Sequence, residues 1–99
     1  MEIKGTVSIV TGGNGGLGQR ICHALAEAGS NVAVVYVQSK DQAEEVAAKL
    51  REAGVEAEAV QCDVTSAASI EAMVAQVLQR FGRIDILIND AAYNKWISF

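Results

Sequence analysis

The residues best placed to do chemistry in this sequence are glycines. Five of the nine fall between Gly12 and Gly18, inside the stretch VSIVTGGNGGLG that runs from Val7 to Gly18. That stretch reads as a buried strand, a turn and the first turn of a helix. Residues without a Cβ let backbone N–H groups come within hydrogen-bonding distance of a ligand. The first N–H groups of a helix have no partner within it, and the positive end of its dipole lies at the same point. The ligand expected there is an anion, most often the pyrophosphate of a dinucleotide.

Other reactive side chains form no comparable group. Cys22 and Cys62 are too few and too far apart for a disulfide framework or a zinc site with paired ligands, and both read as buried thiols. His23, the single histidine, has no second ligand at i+4 and reads as a helix-surface residue. No metal site is expected.

The glycine turn needs elements to position it, and the hydrophobic pattern supplies them. Val7 to Val10 is a short apolar run between Gly5 and Gly12, suited to a central parallel strand. Leu17, Ile21, Ala24, Leu25 and Ala28 then recur at helical spacing, and Gly29 closes the helix. Val32 to Val37 predicts a second strand, buried on both faces. Ser39 and Gln42 have the form of a capping box, with Asp41 in the first turn of a helix whose inner face is Ala43, Val46, Ala47 and Leu50. Glu56 to Cys62 alternates as an edge strand does. Thr65 or Ser66 caps a third helix carrying Ile70, Met73, Val74, Val77, Leu78 and Phe81 and ending at Gly82. Ile84 to Ile88 predicts a fourth strand, and the closing NDAAYNKWISF has no period.

The order βαβαβαβ requires parallel strands joined by right-handed crossovers. The expected fold is α/β, a Rossmann-type doubly wound parallel sheet of strand order 3-2-1-4, forming a single domain over residues 1–99. The reversal beside the first strand puts the glycine turn at the switch point, where such sheets bind ligands.

Composition narrows the partners. A 51% hydrophobic, 20% charged sequence suits a globular core, and a net charge of −4 with only eight Lys and Arg gives no basic stripe. Nucleic acid and anionic membranes are therefore poor partners. No apolar run approaches the ~20 residues of a membrane span. The first residues lack a basic leader with a long apolar segment, so no signal peptide is read and a cytoplasmic protein is the default.

Three motifs, each at the carboxyl end of a predicted strand, carry a family resemblance. Thr11-Gly12-Gly13-Asn14-Gly15-Gly16-Leu17-Gly18 fits the pattern TGxxxGxG of the short-chain dehydrogenases/reductases. Asp63-Val64 follows the third strand and Asn89-Asp90-Ala91-Ala92 the fourth. The sequence resembles most the branch holding 3-oxoacyl-carrier-protein reductases and sugar or polyol dehydrogenases. The resemblance implies that Gly12, Asn14, Gly15, Gly16, Leu17 and Gly18 hold the pyrophosphate of NAD or NADP. It implies also that Asp63 accepts a hydrogen bond from the adenine amino group, with the Val64 backbone alongside. A plain tight turn and a helix-capping aspartate are the simpler alternatives for these two motifs. Asn89, Ala91 and Ala92 belong to a segment that is usually Asn-Asn-Ala-Gly, which stabilises the central strand and contacts the adenosine ribose. Here Asp90 adds a negative charge near the cofactor and Ala92 adds a Cβ.

Cofactor choice turns on the end of the second strand, where an acid about twenty positions past the glycines would hold the ribose 2′-hydroxyl of NAD. Tyr36 stands there, followed by Gln38, Ser39 and Lys40. Without a carboxylate to repel a 2′-phosphate, NADP is favoured over NAD. The acid's absence also argues against a methyltransferase, whose glycine motif likewise follows the first strand.

Family catalysis uses a serine and a helical YxxxK pair beyond the fifth strand, and an asparagine on the helix after the fourth. This sequence stops before them, so no catalytic residue is assigned. Tyr36 and Lys40 spell YxxxK, but a strand end and a helix start cannot put both side chains on one helix face. These residues would therefore bind the cofactor of a carbonyl or alcohol oxidoreductase and be inactive alone. The fourth strand would leave an apolar edge open to a second copy or another chain. The alternative is a standalone nucleotide-binding or interaction module without catalysis.

Overall fold

Runs of β-branched residues build the centre of the sheet. In the computed structural model, which describes residues 2–90, β1 (Val7–Thr11) is VSIVT and β2 (Asn31–Tyr36) is NVAVVY. Every residue of β1, and every residue of β2 after Asn31, is buried. β3 (Ala57–Gln61) lies outside β2, and β4 (Ile86–Asn89) lies on the other side of β1. All three pairings are parallel, and the order β3-β2-β1-β4 is the expected one.

Alternation along the strands sends side chains to two cores. Val32, Val34 and Tyr36 join Val10 under α1 (Gly16–Glu27) and α2 (Lys40–Glu52). Ala33 and Val35 join Val7, Ile9 and Val60 under α3 (Ala67–Phe81) alone. This division follows from handedness. The chain steps outward from β1 to β3 and then returns past β1 to β4, so a right-handed crossover must put α3 on the face opposite α1 and α2.

The helices follow the sequence with two corrections. In α2 the buried residues are the predicted Ala43, Val46, Ala47 and Leu50, and α3 is capped by the Ser66 side chain and ended by Gly82 at φ 85°. In α1 the buried residues are Gly18, Cys22 and Ala26, with Ile21 and Leu25 packed beside them. Ala24 and Ala28 face outward and Leu17 is 60% exposed. The larger apolar residues suggested a different face, but close packing on the glycine turn selects the smallest residues instead. The capping box at Ser39 does not form either. Ser39 is left-handed at φ 64° and its hydroxyl caps nothing.

β4 begins two residues later than its apolar run because Asp85 is occupied. Its carboxylate Oδ2 accepts the Val7 N–H at 2.9 Å, and both oxygens accept from the Arg83 guanidinium at 2.8 Å. Its own N–H donates to the Val7 carbonyl. The Asp85 side chain therefore extends the β1–β4 ladder at its base. Among the described residues no strand pairs with the outer side of β4, and Leu87 there is 63% exposed.

The Arg83 guanidinium, and after it the Val7 N–H, hold the Asp85 carboxyl below the usual carboxylate range. A depressed folded-state pKa contributes stability that is fully present above the unfolded value of about 3.9 and is lost as pH falls through the folded value. Asp85→Ala should lower the melting temperature by a few degrees at pH 7. The difference from the unaltered protein should narrow in melts recorded between pH 5 and pH 2.

Candidate functional site

The five glycines of the turn separate into two groups by what surrounds them. Gly12 ends β1 at φ 70°, a left-handed conformation that favours glycine. A Cβ on Gly13 would meet the Val10 carbonyl oxygen and Val34 Cγ1 at 3.0 Å and Cys22 Sγ at 3.2 Å. One on Gly18 would overlap the Gly12 carbonyl. These three are glycine because the turn packs against the helix it starts. Gly15 and Gly16 have no such reason. The nearest atom to a Cβ on Gly15 is 3.4 Å away, nothing lies within 4 Å of one on Gly16, and neither residue has a positive φ. The space they leave open lies at the N-terminus of α1, where no side chain caps the helix and the first turn holds no acid. A cradle that a Cβ would narrow, lined by helix N–H groups, fits a phosphate.

Side chains tie this turn to the loop after β2. Asn14 Nδ2 donates to the Gln38 carbonyl at 3.3 Å and to Gln42 Oε1 at 3.4 Å, and Gln19 Nε2 donates to the Asn14 carbonyl at 2.8 Å. Gln42 thus serves the turn, not the helix cap its spacing suggested. Gln19 went unnoticed in the sequence because a glutamine in a helix carries no positional signal.

Gln38, Ser39 and Lys40 are exposed beside Asn14. Ser39 is the single non-glycine residue with positive φ among those described, a conformation that marks functional sites more often than ordinary loops. Lys40 pairs with no carboxylate among the described residues. Tyr36 is 8% exposed and packs in the core with Ala43 and Val46, which leaves little of its ring for a ligand. Its burial at a strand end, with Lys40 exposed at the start of α2, separates the YxxxK pair as expected.

The ends of β3 and β4 complete this rim of the sheet. Asp63 is exposed, and its Oδ1 accepts the Thr65 hydroxyl at 2.7 Å and the Thr65 N–H at 3.0 Å. These bonds, the hydroxyl's first, lower its pKa. The carboxylate thus shapes the approach to α3, while Ser66 is the cap. Val64 packs against the core beneath α3. Thr11 Oγ1 donates to Asn89 Oδ1 at 2.9 Å and accepts the Asp90 N–H at 3.0 Å, joining the upper ends of β1 and β4. Thr11, Val64 and Asn89 also line a cavity of about 150 Å³ with Ile70, Met73 and Leu87. Ala91 and Ala92 lie outside the described residues. Cys22 is buried beneath the turn, and desolvation, with a smaller contribution from Asp90, pushes its thiol up to about 12. Such a thiol is inert at neutral pH.

A parallel sheet of order 3-2-1-4 with an open glycine turn at its switch point defines a Rossmann-type nucleotide-binding region. The family follows from comparison. The family model described as short chain dehydrogenase matches residues 6–98, and the chain belongs to that family. It is 41% identical over 88 residues to a 3-oxoacyl-acyl-carrier-protein reductase of Staphylococcus epidermidis, covering 89% of this chain and 36% of that protein. It is 35% identical over 96 residues to a hydroxynaphthalene reductase of Aspergillus fumigatus, covering 97% and 35%. The chain thus spans about a third of the length of the curated relatives it matches. Among solved structures it superposes on an NAD+-bound xylitol dehydrogenase with a TM-score of 0.87 at 38% identity, covering 94% of this chain and 35% of that one. A dehydrogenase of Burkholderia cenocepacia with bound NADP gives a TM-score of 0.85 at 43% identity, covering 89% and 34%. The matched region is the N-terminal, nucleotide-binding part of the family fold.

The first group of glycines predicts a stability phenotype. Gly18→Ala should destabilise the fold by at least about 2 kcal/mol in urea denaturation, because backbone and not a flexible side chain stands where the new Cβ must go.

Proposed function

We propose that this chain is the dinucleotide-binding half of an oxidoreductase that moves hydride between NADP(H) and a carbonyl or alcohol substrate. What supports the reading is the open space at Gly15 and Gly16, at a helix N-terminus that no side chain caps among the described residues. The pyrophosphate would lie there against the backbone from Gly12 to Gly18, with Asn14 and Leu17 at its sides. Asp63 and Val64 would flank the adenine, and Asn89, with Ala91 and Ala92, the ribose. Bound there, the dinucleotide supplies or accepts the hydride. The residues of this chain bind and orient it, and none of them is assigned to proton transfer.

NADP is the favoured cofactor on charge and geometry. At the end of β2 the chain offers the exposed Ser39 hydroxyl, the Lys40 ammonium, which pairs with no carboxylate among the described residues, and the N-terminus of α2, and no carboxylate ends the strand. A 2′-phosphate finds donors and positive charge there, and a 2′-hydroxyl finds no acidic acceptor on the strand. Asp41 in the first turn of α2 opposes this preference in part. The related structures with bound NAD+ and NADP support a dinucleotide of this class.

Calorimetric titration with NADP and NAD tests the reading directly. NADP should bind the more tightly of the two. Absence of binding by both at millimolar concentration would instead favour an interaction module. Gly16→Ala should leave thermal stability unchanged or slightly raised, since a helical position gains alanine's propensity, while NADP affinity falls at least about fivefold, equivalent to about 1 kcal/mol. Lys40→Ala should weaken NADP about three- to tenfold and leave NAD nearly unaffected, with the difference shrinking as salt is raised.

A further inference from the structure

We propose that Asp90 is a built-in opposing charge at the dinucleotide site, one that holds the affinity of the glycine turn for a pyrophosphate below what its backbone alone would give. This inference rests on the nucleotide-binding reading of the turn. Three observations locate the charge. The Asp90 N–H donates to Thr11 Oγ1 at 3.0 Å and to the Thr11 carbonyl at 3.3 Å, so its backbone is fixed one residue past the Thr11–Asn89 register pair, alongside the start of the turn. Leu87 and Asn89 line the cavity beneath α3, whereas Ile88 packs against the core beneath α1 and α2. By strand alternation Asp90 continues the Ile88 side and faces the underside of the turn and α1. The electrostatic influence of Asp90 on Cys22, in the second turn of α1, agrees with that direction.

Among the described residues nothing on this side of the turn neutralises the charge. The α1 residues turned to the sheet are Gly18, Cys22 and Ala26, and neither β1 nor β4 contains a cation. Among the described residues the ion pairs belong to Glu56, Glu58 and Asp85, and Asp90 has none. Asp90 is half-buried, so solvent screens it only in part. The positive end of α1 would then be shared between the Asp90 carboxylate and any phosphate that enters the cradle. An asparagine at the same position keeps the backbone bonds and the shape and removes the charge.

The test compares the unaltered chain with Asp90→Asn and Asp90→Ser by calorimetric titration of NADP, ADP and adenosine at low and high salt. The proposal expects both variants to bind NADP on the order of tenfold more tightly at low salt. ADP should show a similar gain and adenosine, which has no phosphate, none, and the gain should shrink at high salt. Binding of NADP by the variants alone would support it equally. Equal or weaker NADP binding in two variants that melt like the unaltered chain would overturn it, as would an equal gain for adenosine. If none of the three proteins binds NADP or ADP at millimolar concentration, the nucleotide reading fails and this proposal with it. Melting curves without ligand supply the remaining readout. An Asp90 that serves only to hold the fold predicts a lower melting temperature and no gain in affinity, and that result too would overturn the proposal.

Discussion

The contact on which the rest of this structure depends is the one between the backbone of Gly18 and the carbonyl of Gly12. It lets a helix start almost against the end of the strand that precedes it. Because the helix starts there, its small residues Gly18, Cys22 and Ala26 face the sheet and its larger Leu17 is turned outward. Because the strand is the central β1, the helix N-terminus opens at the switch point of the sheet. Local sterics and topology thereby bring unpartnered N–H groups to the one place where a doubly wound sheet has a crevice. The glycines that make this possible are distinct from those that keep it open. Gly12, Gly13 and Gly18 serve the fold, whereas Gly15 and Gly16 serve the space in front of it.

Strand order was legible in the sequence because three crossovers of helical length, taken with the handedness rule, leave few arrangements. The face of α2 was legible because its apolar residues recur at helical spacing, and in α3 Met73, Val74, Val77 and Phe81 pack as that spacing predicts while Ile70 and Leu78 are exposed. The face of α1 was not. Periodicity weighs residues by hydrophobicity, and there the packing was decided by the absence of side chains at Gly18. Ser39 illustrates a second limit. Its spacing from Gln42 copies a capping box, but a cap requires extended backbone at the serine, and the turn at the end of β2 holds it left-handed. In the site, the glycine turn could be read from composition alone. Its links to Gln38, Gln42 and Gln19 could not, because they join residues that are far apart in sequence or carry no pattern.

β4 shows how a four-residue strand is secured by polar groups instead of by burial. Its side chains are alternately half-buried and exposed, so hydrophobic burial contributes less here than in β1 or β2. At its base the Asp85 carboxylate takes the Val7 N–H, and at its top Thr11 bonds both the Asn89 side chain and the Asp90 N–H. The Asp85 and Asn89 side chains each bond to β1, the strand that leads into the glycine turn. The upper set places the Asp90 backbone alongside the start of the glycine turn. The register of β4 is therefore a condition for the site as well as for the sheet.

On the proposed reading, the two ends of the dinucleotide site are held by different physics. The pyrophosphate cradle is backbone, fixed by steric exclusions at Gly13 and Gly18 that leave no freedom for a side chain. The proposed adenosine end offers exposed side chains at Gln38, Ser39, Lys40 and Asp63, whose bonds are few and reach solvent. A change at the first end must pass through the fold, because the same glycines pack α1 on β1. A change at the second alters only charge and hydrogen bonding at the rim. On the same reading, discrimination between NAD+ and NADP falls to the end of β2. Two relatives with TM-scores of 0.87 and 0.85 against this chain were solved with those different dinucleotides.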